Sequence, residues 1–379
     1  MTFETTPAAR SSVNDNLVYV AYDAHAASPS TYPNYKYVAE VWINGTQVFT
    51  GRYFPNPTNN RAIMDFSSVV REYVSATLNP STGINGQTLG EGEFSVSVVI
   101  KMREEYSGTT GAVILTDSTR VFFNHYNGRT GSFTLLSSYE DAVASNRSTN
   151  LQLTFSNAYY FVPYFALTTG TFNVAVTVGS TTNTKTITPS AANTCIMVNI
   201  SPTAINLEWT GFITSSTTSY TVQIDSVTYT VEVICAGLYD NYYVTFLNKW
   251  GGWETMLFNK VSRKNFEITR KQYNNLPYRV SSSGVVTKTS NNVAYAQRVN
   301  YGGVFKERLS LNTDWLSTTD WQWLGQLVLS PQVYVEDGGT FYPASITENQ
   351  YQYKTNITDG LIQLSINVEF ADQTNVQWQ

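Results

Sequence analysis

The chain has 379 residues, 42% of them hydrophobic, which is enough apolar material for two or three packed domains and excludes wholesale disorder. Charged residues make up only 13% and the formal net charge is −5. That balance excludes a general nucleic-acid binder, which needs clustered Lys and Arg.

Strand-like alternation dominates from the first element onward. "NLVYVAYDA" opens a first sheet. "YVAEVWI" and "TQVFTGRYF" flank Asn44-Gly45, the signal for a type I′ hairpin. "DFSSVVREYVSATL" places Phe66, Val69, Val70, Tyr73, Val74 and Leu78 at helical spacing, with Asp65 as cap. "FSVSVVIKMREEY" and "VILTDSTRVFFNHY" continue the sheet. The expected first unit is a β-sandwich-like domain over 12–135 crossed by one helix. Ser137-Ser138-Tyr139-Glu140 has capping-box form and predicts a short linking helix over "YEDAVASN".

Eight short segments then read as strands: "NLQLTFS", "AYYFVPYFAL", "GTFNVAVTVG", "TKTITPS", "CIMVNISP", "INLEWTGF", "SYTVQID" and "VTYTVEVICAG". Their regular spacing predicts a second β-sandwich-like domain over 148–237. The third unit, 238–379, begins with "YYVTFLN" and "WETMLFN" around Lys249-Trp250-Gly251-Gly252. A helix is expected at "TTDWQWLGQLVLSP", with Trp321, Leu324, Leu327 and Val328 on one face, Asp320 at its start and Pro331 at its stop. "PQVYVED", Gly338-Gly339 and "FYPASIT" form a further hairpin, and "YQYKTN" and "GLIQLSINVEFA" finish the sheet. The expected fold class is mainly β and multi-domain, with two or three β-sandwich-like domains and a few short helices.

The inventory of reactive groups is sparse. His25 and His125 are the two histidines, and neither has metal-site spacing. Nucleophile-elbow, phosphate-loop and dinucleotide motifs are absent. Cys195 and Cys235 both fall in apolar runs and are expected as buried, inert thiols, with one bridge between packed strands as the alternative. Paired carboxylates would serve a glycosidase, and Glu104-Glu105, Asp314 with Asp320, and Glu336-Asp337 are the visible clusters. Adjacent strand residues point to opposite faces, so Glu104 and Glu105 make a poor pair. No cofactor, metal or catalytic residue is assigned. The polar start and the lack of a long apolar run predict neither signal peptide nor membrane span, and assembly in a reducing cytoplasm. The sequons at Asn44, Asn146 and Asn356 are then chance matches.

Two features single out residues. The first is the turn Trp250, Gly251, Gly252, Trp253. Its rings form either a packed corner, in the core or against a neighbouring chain, or a platform for sugar rings, a role that the tyrosines of "AYYFVPYF" also suit. The second is the basic stretch "KVSRKNFEITRKQY", with Lys260, Arg263, Lys264, Arg270 and Lys271. It reads as a solvated strand face, or as an electrostatic contact with an acidic subunit surface or passing DNA.

"YYVTFLNKWGGWETMLF" resembles a signature in virion proteins of tailed phages of Bacteroides-type bacteria, including the crAss-like group. The matching positions are Leu247-Asn248, Lys249, Trp250, Gly251-Gly252-Trp253 and Glu254. "YVAEVWINGTQVFTGRYFPNPTNNRAIMDFSSVVREYV" and "WLSTTDWQWLGQLVLSPQVYV" are similar to the first-domain and late-helix patterns of the same group. The segment 148–237 matches no pattern of that group. The resemblance implies a non-enzymatic structural protein of the virion tail or neck connector, forming a homo-oligomeric ring. Its implied partners are copies of itself and neighbouring tail or neck proteins, without membrane or specific nucleic-acid binding. The alternative is a carbohydrate- or receptor-binding module of a phage tail.

Overall fold

A computed structural model of the chain describes residues 1–13, 17–123, 141–235, 239–290, 293–347, 363–371 and 374–377, the last as backbone only. The protein is mainly β, built from sheets whose strand pairs are mostly antiparallel, with a few short helices. His125, the Ser137–Glu140 capping box, "YQYKTN" and the Asn356 sequon lie outside the described residues.

The first core lies under a six-stranded sheet whose centre is Lys36–Ile43 paired with Ser95–Tyr106, closed by a three-stranded sheet of Thr2–Thr5, Val18–Tyr22 and Arg61–Asp65. The Lys36–Ile43 and Thr46–Tyr53 hairpin turns at Asn44 (φ 50°) and Gly45 (φ 80°), the left-handed pair that a type I′ turn requires. The helix after Asp65 is shorter than its apolar spacing predicts, Ser67–Arg71. Asp65 Oδ1 does accept from Ser67 N at 2.8 Å. Beyond Tyr73 the chain is drawn into the core instead, where Val74 and Ala76 are buried and Ser75 N donates to Gly92 O at 3.0 Å.

A second pair of sheets follows. One is ordered Ala142–Val143, Phe161–Ala166, Thr194–Asn199, Asn85–Leu89; the other Asn150–Thr154, Val227–Ile234, Ser219–Ile224, Phe172–Val178, Thr181–Ile187. The strand Phe161–Ala166 is buried at all six positions. Alternation explains why. Phe161 and Phe165 enter the first core, while Val162, Tyr164 and Ala166 enter the second. Its neighbour divides likewise, Cys195 and Met197 on one face and Ile196 and Val198 on the other. A strand covered on both faces reads as an unbroken apolar run. Asn85–Leu89, from the first expected unit, completes this shared sheet by pairing with Thr194–Asn199.

Two local expectations are corrected. Ala142–Val143 is a short strand paired with Tyr164 and Phe165, not part of a linking helix. "INLEWTGF" contributes no strand. Pro202–Glu208 is helical, with Ser201 Oγ accepting from Ala204 N at 3.2 Å and Pro202 in the first turn. The cap and the proline together outweigh the β-like composition of the segment.

The third core sits between an eight-stranded sheet and the helix Thr318–Leu329. Ser317 caps that helix through Asp320 N at 3.1 Å. Trp321, Trp323, Leu324 and Leu327 turn inward, and Val328 is only half-buried.

Candidate assembly surface

The tryptophan turn is a corner where the cores meet. Trp253 is 0% exposed and Trp250 7%, and both belong to the first core with Leu247. On the same hairpin Leu257 enters the second core, and Phe246 and Phe258 the third. Asn248 organises the turn. Its Oδ1 accepts from Trp250 N and Gly252 N, each at 3.0 Å, and its Nδ2 donates to Ala144 O at 2.8 Å. Gly251 holds φ +89°, and Gly252 lies so close to Pro163 that an added Cβ would stand 2.3 Å from that ring. Lys249 N donates to Gln326 Oε1 at 3.0 Å, tying the turn to the late helix. Buried rings present no face to a sugar, so the turn acts as a corner within the chain. The "AYYFVPYF" rings Tyr160, Phe161, Tyr164 and Phe165 are likewise buried.

Behind the corner lies a polar group that the sequence does not announce. Arg147 is buried, with Nη1 donating to Thr255 O at 2.9 Å and Nη2 to Tyr160 Oη. Its guanidinium stacks over Trp323 at 4.3 Å from the ring centroid. Trp323 Nε1 donates to Glu254 Oε2 at 2.6 Å. Burial raises the Glu254 carboxyl, opposed by the charge of Arg147 and the polar side chains of Ser145, Trp323 and Asn248. This cluster joins Tyr160 of the second core to Trp323 of the third.

The basic stretch is placed very differently. Arg263–Asn274 is the edge strand of the eight-stranded sheet and pairs antiparallel with Arg298–Asn312, whose other side pairs with Ser365–Phe370 and Thr374–Gln377. From Gly302 back toward Arg298 the two strands run on as an arm with no further strand beside them among the described residues, bulged between Lys271 and Gln272, and all twelve residues of Arg263–Asn274 are exposed. Twelve strand residues span about 40 Å. Small hairpins at Arg279–Val280 with Val286–Thr287, and Thr289–Ser290 with Val293–Ala294, form the far end. Arg263, Arg270 and Lys271 lie on the arm. Lys260 stands at its base, bound to Asp314 at 2.7 Å, and Lys264 faces Glu307 at 3.8 Å. Residues 260–312 hold ten Lys and Arg against two Glu, a net +8, which leaves −13 on the rest of the chain. Large apolar side chains also stand in solvent here, among them Phe266, Ile268, Leu276, Val280, Val293 and Tyr301.

The carboxylate clusters separate. Glu104 points to His25 at 2.8 Å, while Glu105 binds Arg52 at 2.8 Å and Lys36 at 3.2 Å, on opposite faces as strand alternation requires. Arg52 and then Lys36 hold the Glu105 carboxyl down to about 2. Glu336 is buried, and burial pushes its carboxyl up to about 7. Asp314 and Asp320 line a cleft of about 400 Å³ with Arg147, Ser148, Glu232 and Trp315. Each of these carboxylates already holds a donor: Asp314 the Lys260 ammonium, Asp320 the Ser148 N at 3.0 Å and Oγ at 2.7 Å, and Glu232 the Gln152 amide at 3.1 Å. Trp315 is 59% exposed at this cleft.

Both cysteines are free, and only Cys195 is buried. Burial pushes its thiol well up. Cys235 is exposed because it lies just past the end of the strand Val227–Ile234, which corrects the expectation of two buried thiols. Among the described residues no helix is long and apolar enough to cross a membrane.

No family model and no curated protein matches the chain. One solved structure, of a 1.5-MDa bacterial ice-binding adhesin studied for its retention on the host cell surface, aligns with 81% of this chain and 88% of its own. The identity is 10% and the TM-score 0.14, too low for any argument about fold or function.

Proposed function

We propose that this chain is a non-enzymatic structural protein that joins copies of itself, forming a ring in the tail or neck of a tailed-phage virion. The virion setting rests on the resemblance carried by Leu247–Glu254 and the two longer stretches. The observation that carries the self-association is the arm. The exposed edge of a sheet is a ready template for pairing with another chain, and this ribbon of edge strand presents apolar side chains throughout. Burying them against a neighbour stabilises the ribbon at about 25 cal/mol per Å² of apolar surface covered. The occupant is a second copy, because the arm is strongly basic and the remainder of the same chain strongly acidic. Head-to-tail contact of an arm with a different surface closes into a ring when the rotation permits. The corner at Trp250–Trp253 and the Arg147 cluster hold the cores rigid behind the arm.

The test is a charge reversal, Arg270→Glu with Lys271→Glu, on exposed residues that leave the cores intact. Self-association weakens at least tenfold and loses most of its salt dependence, while the folding transition is unchanged. Association equal to that of the wild-type chain contradicts the proposal. Retention by duplex DNA of the wild-type chain, with no self-association, assigns the arm to nucleic acid instead. Detection of the chain in purified particles tests the virion setting separately.

A second reading, a carbohydrate-binding module, is favoured by exposed Trp315 at the rim of a polar cleft. Trp315→Ala then abolishes binding to bacterial capsular polysaccharide without changing stability. Wild-type protein that binds none of a capsule panel removes this reading.

A further inference from the structure

Apart from the arm, one cluster brings together side chains able to hold a metal ion. Asp23 caps the 3-10 turn Ala24–Ala27, with its Oδ1 accepting from His25 N at 2.8 Å. This cap turns the His25 ring back over the end of the strand Ser95–Tyr106, where Nδ1 meets Glu104 Oε2 at 2.8 Å. The same Nδ1 lies 3.5 Å from Asp23 Oδ1. One ligand atom from each of the three residues falls within 4.8 Å of the others. With bonds of about 2.0–2.2 Å, adjacent ligands of a tetrahedral ion stand about 3.4 Å apart. The three atoms therefore need only sub-ångström to ångström adjustments to share an ion.

A second observation points into the same place. Tyr35 is 5% exposed, and its hydroxyl has no hydrogen-bond partner. Its ring stands edge-on to His25 at 6.5 Å, and Asp23 and Glu104 are the carboxylates whose charge reaches it. The hydroxyl thus approaches Glu104 without reaching bonding geometry, and a water on a bound ion supplies the missing partner. His25 is further fixed by stacking on Tyr32 at 4.0 Å between ring centroids.

The geometry points to a divalent-cation site formed by Asp23, His25 and Glu104, lined by Tyr35. One imidazole and two carboxylates make a nitrogen–oxygen donor set for a first-row ion such as Mn²⁺ or Zn²⁺. The ion pins the 3-10 turn to the end of the strand Ser95–Tyr106, 79 residues further along the chain, and is structural, since every protein ligand is also a packing residue of this corner.

Mn²⁺ is the probe of choice, because exposed Cys235 attracts zinc on its own account. Titration of the full chain, followed by the paramagnetic signal of free Mn²⁺, gives one bound equivalent. His25→Asn and Glu104→Gln each weaken binding at least tenfold. Both side chains are part-exposed, His25 on its turn and Glu104 near the end of its strand, so near-ultraviolet circular dichroism in EDTA matches that of the wild-type chain. Mn²⁺ also raises the melting temperature of the wild-type chain and leaves that of His25→Asn unmoved. Absence of a bound equivalent, or binding that survives both substitutions unchanged, overturns the site.

Discussion

Asn248 and Glu336 carry the clearest consequences of burial. Asn248 is the acceptor for two amides in a turn that water does not reach. Asn248→Ala removes this acceptor from both amides and costs about 2–4 kcal/mol, read from urea unfolding. Glu336 has the opposite character. Its carboxyl stands near 7 in the folded protein against 4.5 ordinarily, raised by burial and opposed by a hydrogen bond from the Gly339 backbone. The folded state therefore keeps the proton longer than the unfolded chain does. Stability from this group declines as pH rises from about 4.5 to about 7, and the full penalty persists above that window, on the order of 3 kcal/mol. Glu336→Gln flattens this part of the slope, so the variant exceeds the wild-type chain in stability at pH 8 and loses that advantage by pH 4. Equal wild-type and variant slopes over this range contradict the assignment.

Elements were legible wherever one rule decided them. Asn44-Gly45 and Gly338-Gly339 mark hairpins because few residues tolerate their backbone, and both hairpins form. The late helix follows from its apolar face, though its cap is Ser317 rather than Asp320, whose carboxylate instead binds Ser148. "INLEWTGF" misled because β-like composition hides the Ser201-Pro202 start just before it. The two-faced strands were visible as apolar runs, but which face meets which core depends on partners far along the chain. The Asp23, His25 and Glu104 cluster was illegible for the same reason, since strand register brings Glu104 to the turn. The tryptophan hairpin gives this scale its prediction. Gly252→Ala drives a methyl group into Pro163 and costs about 1–3 kcal/mol, whereas Trp253→Ala opens a cavity at about 3–5 kcal/mol. Chemical denaturation measures both.

At the scale of the molecule, rigid cores and an exposed arm have different tasks. Shared strands such as Phe161–Ala166 and Tyr242–Leu247 bind the three cores to one another. The arm is rooted in the third core through Leu309 and Leu311, but Arg263–Asn274 is exposed throughout and the arm's net charge opposes that of the rest of the chain. We propose that a neighbouring copy covers it. Sedimentation velocity of the wild-type chain over a hundredfold range of concentration, beside a variant in which residues 270–303 are replaced by a two-residue turn, tests this most directly. The account predicts a discrete oligomer for the wild-type chain and a folded monomer for the shortened one. A wild-type chain that remains monomeric throughout, or a shortened chain that assembles equally well, would contradict it.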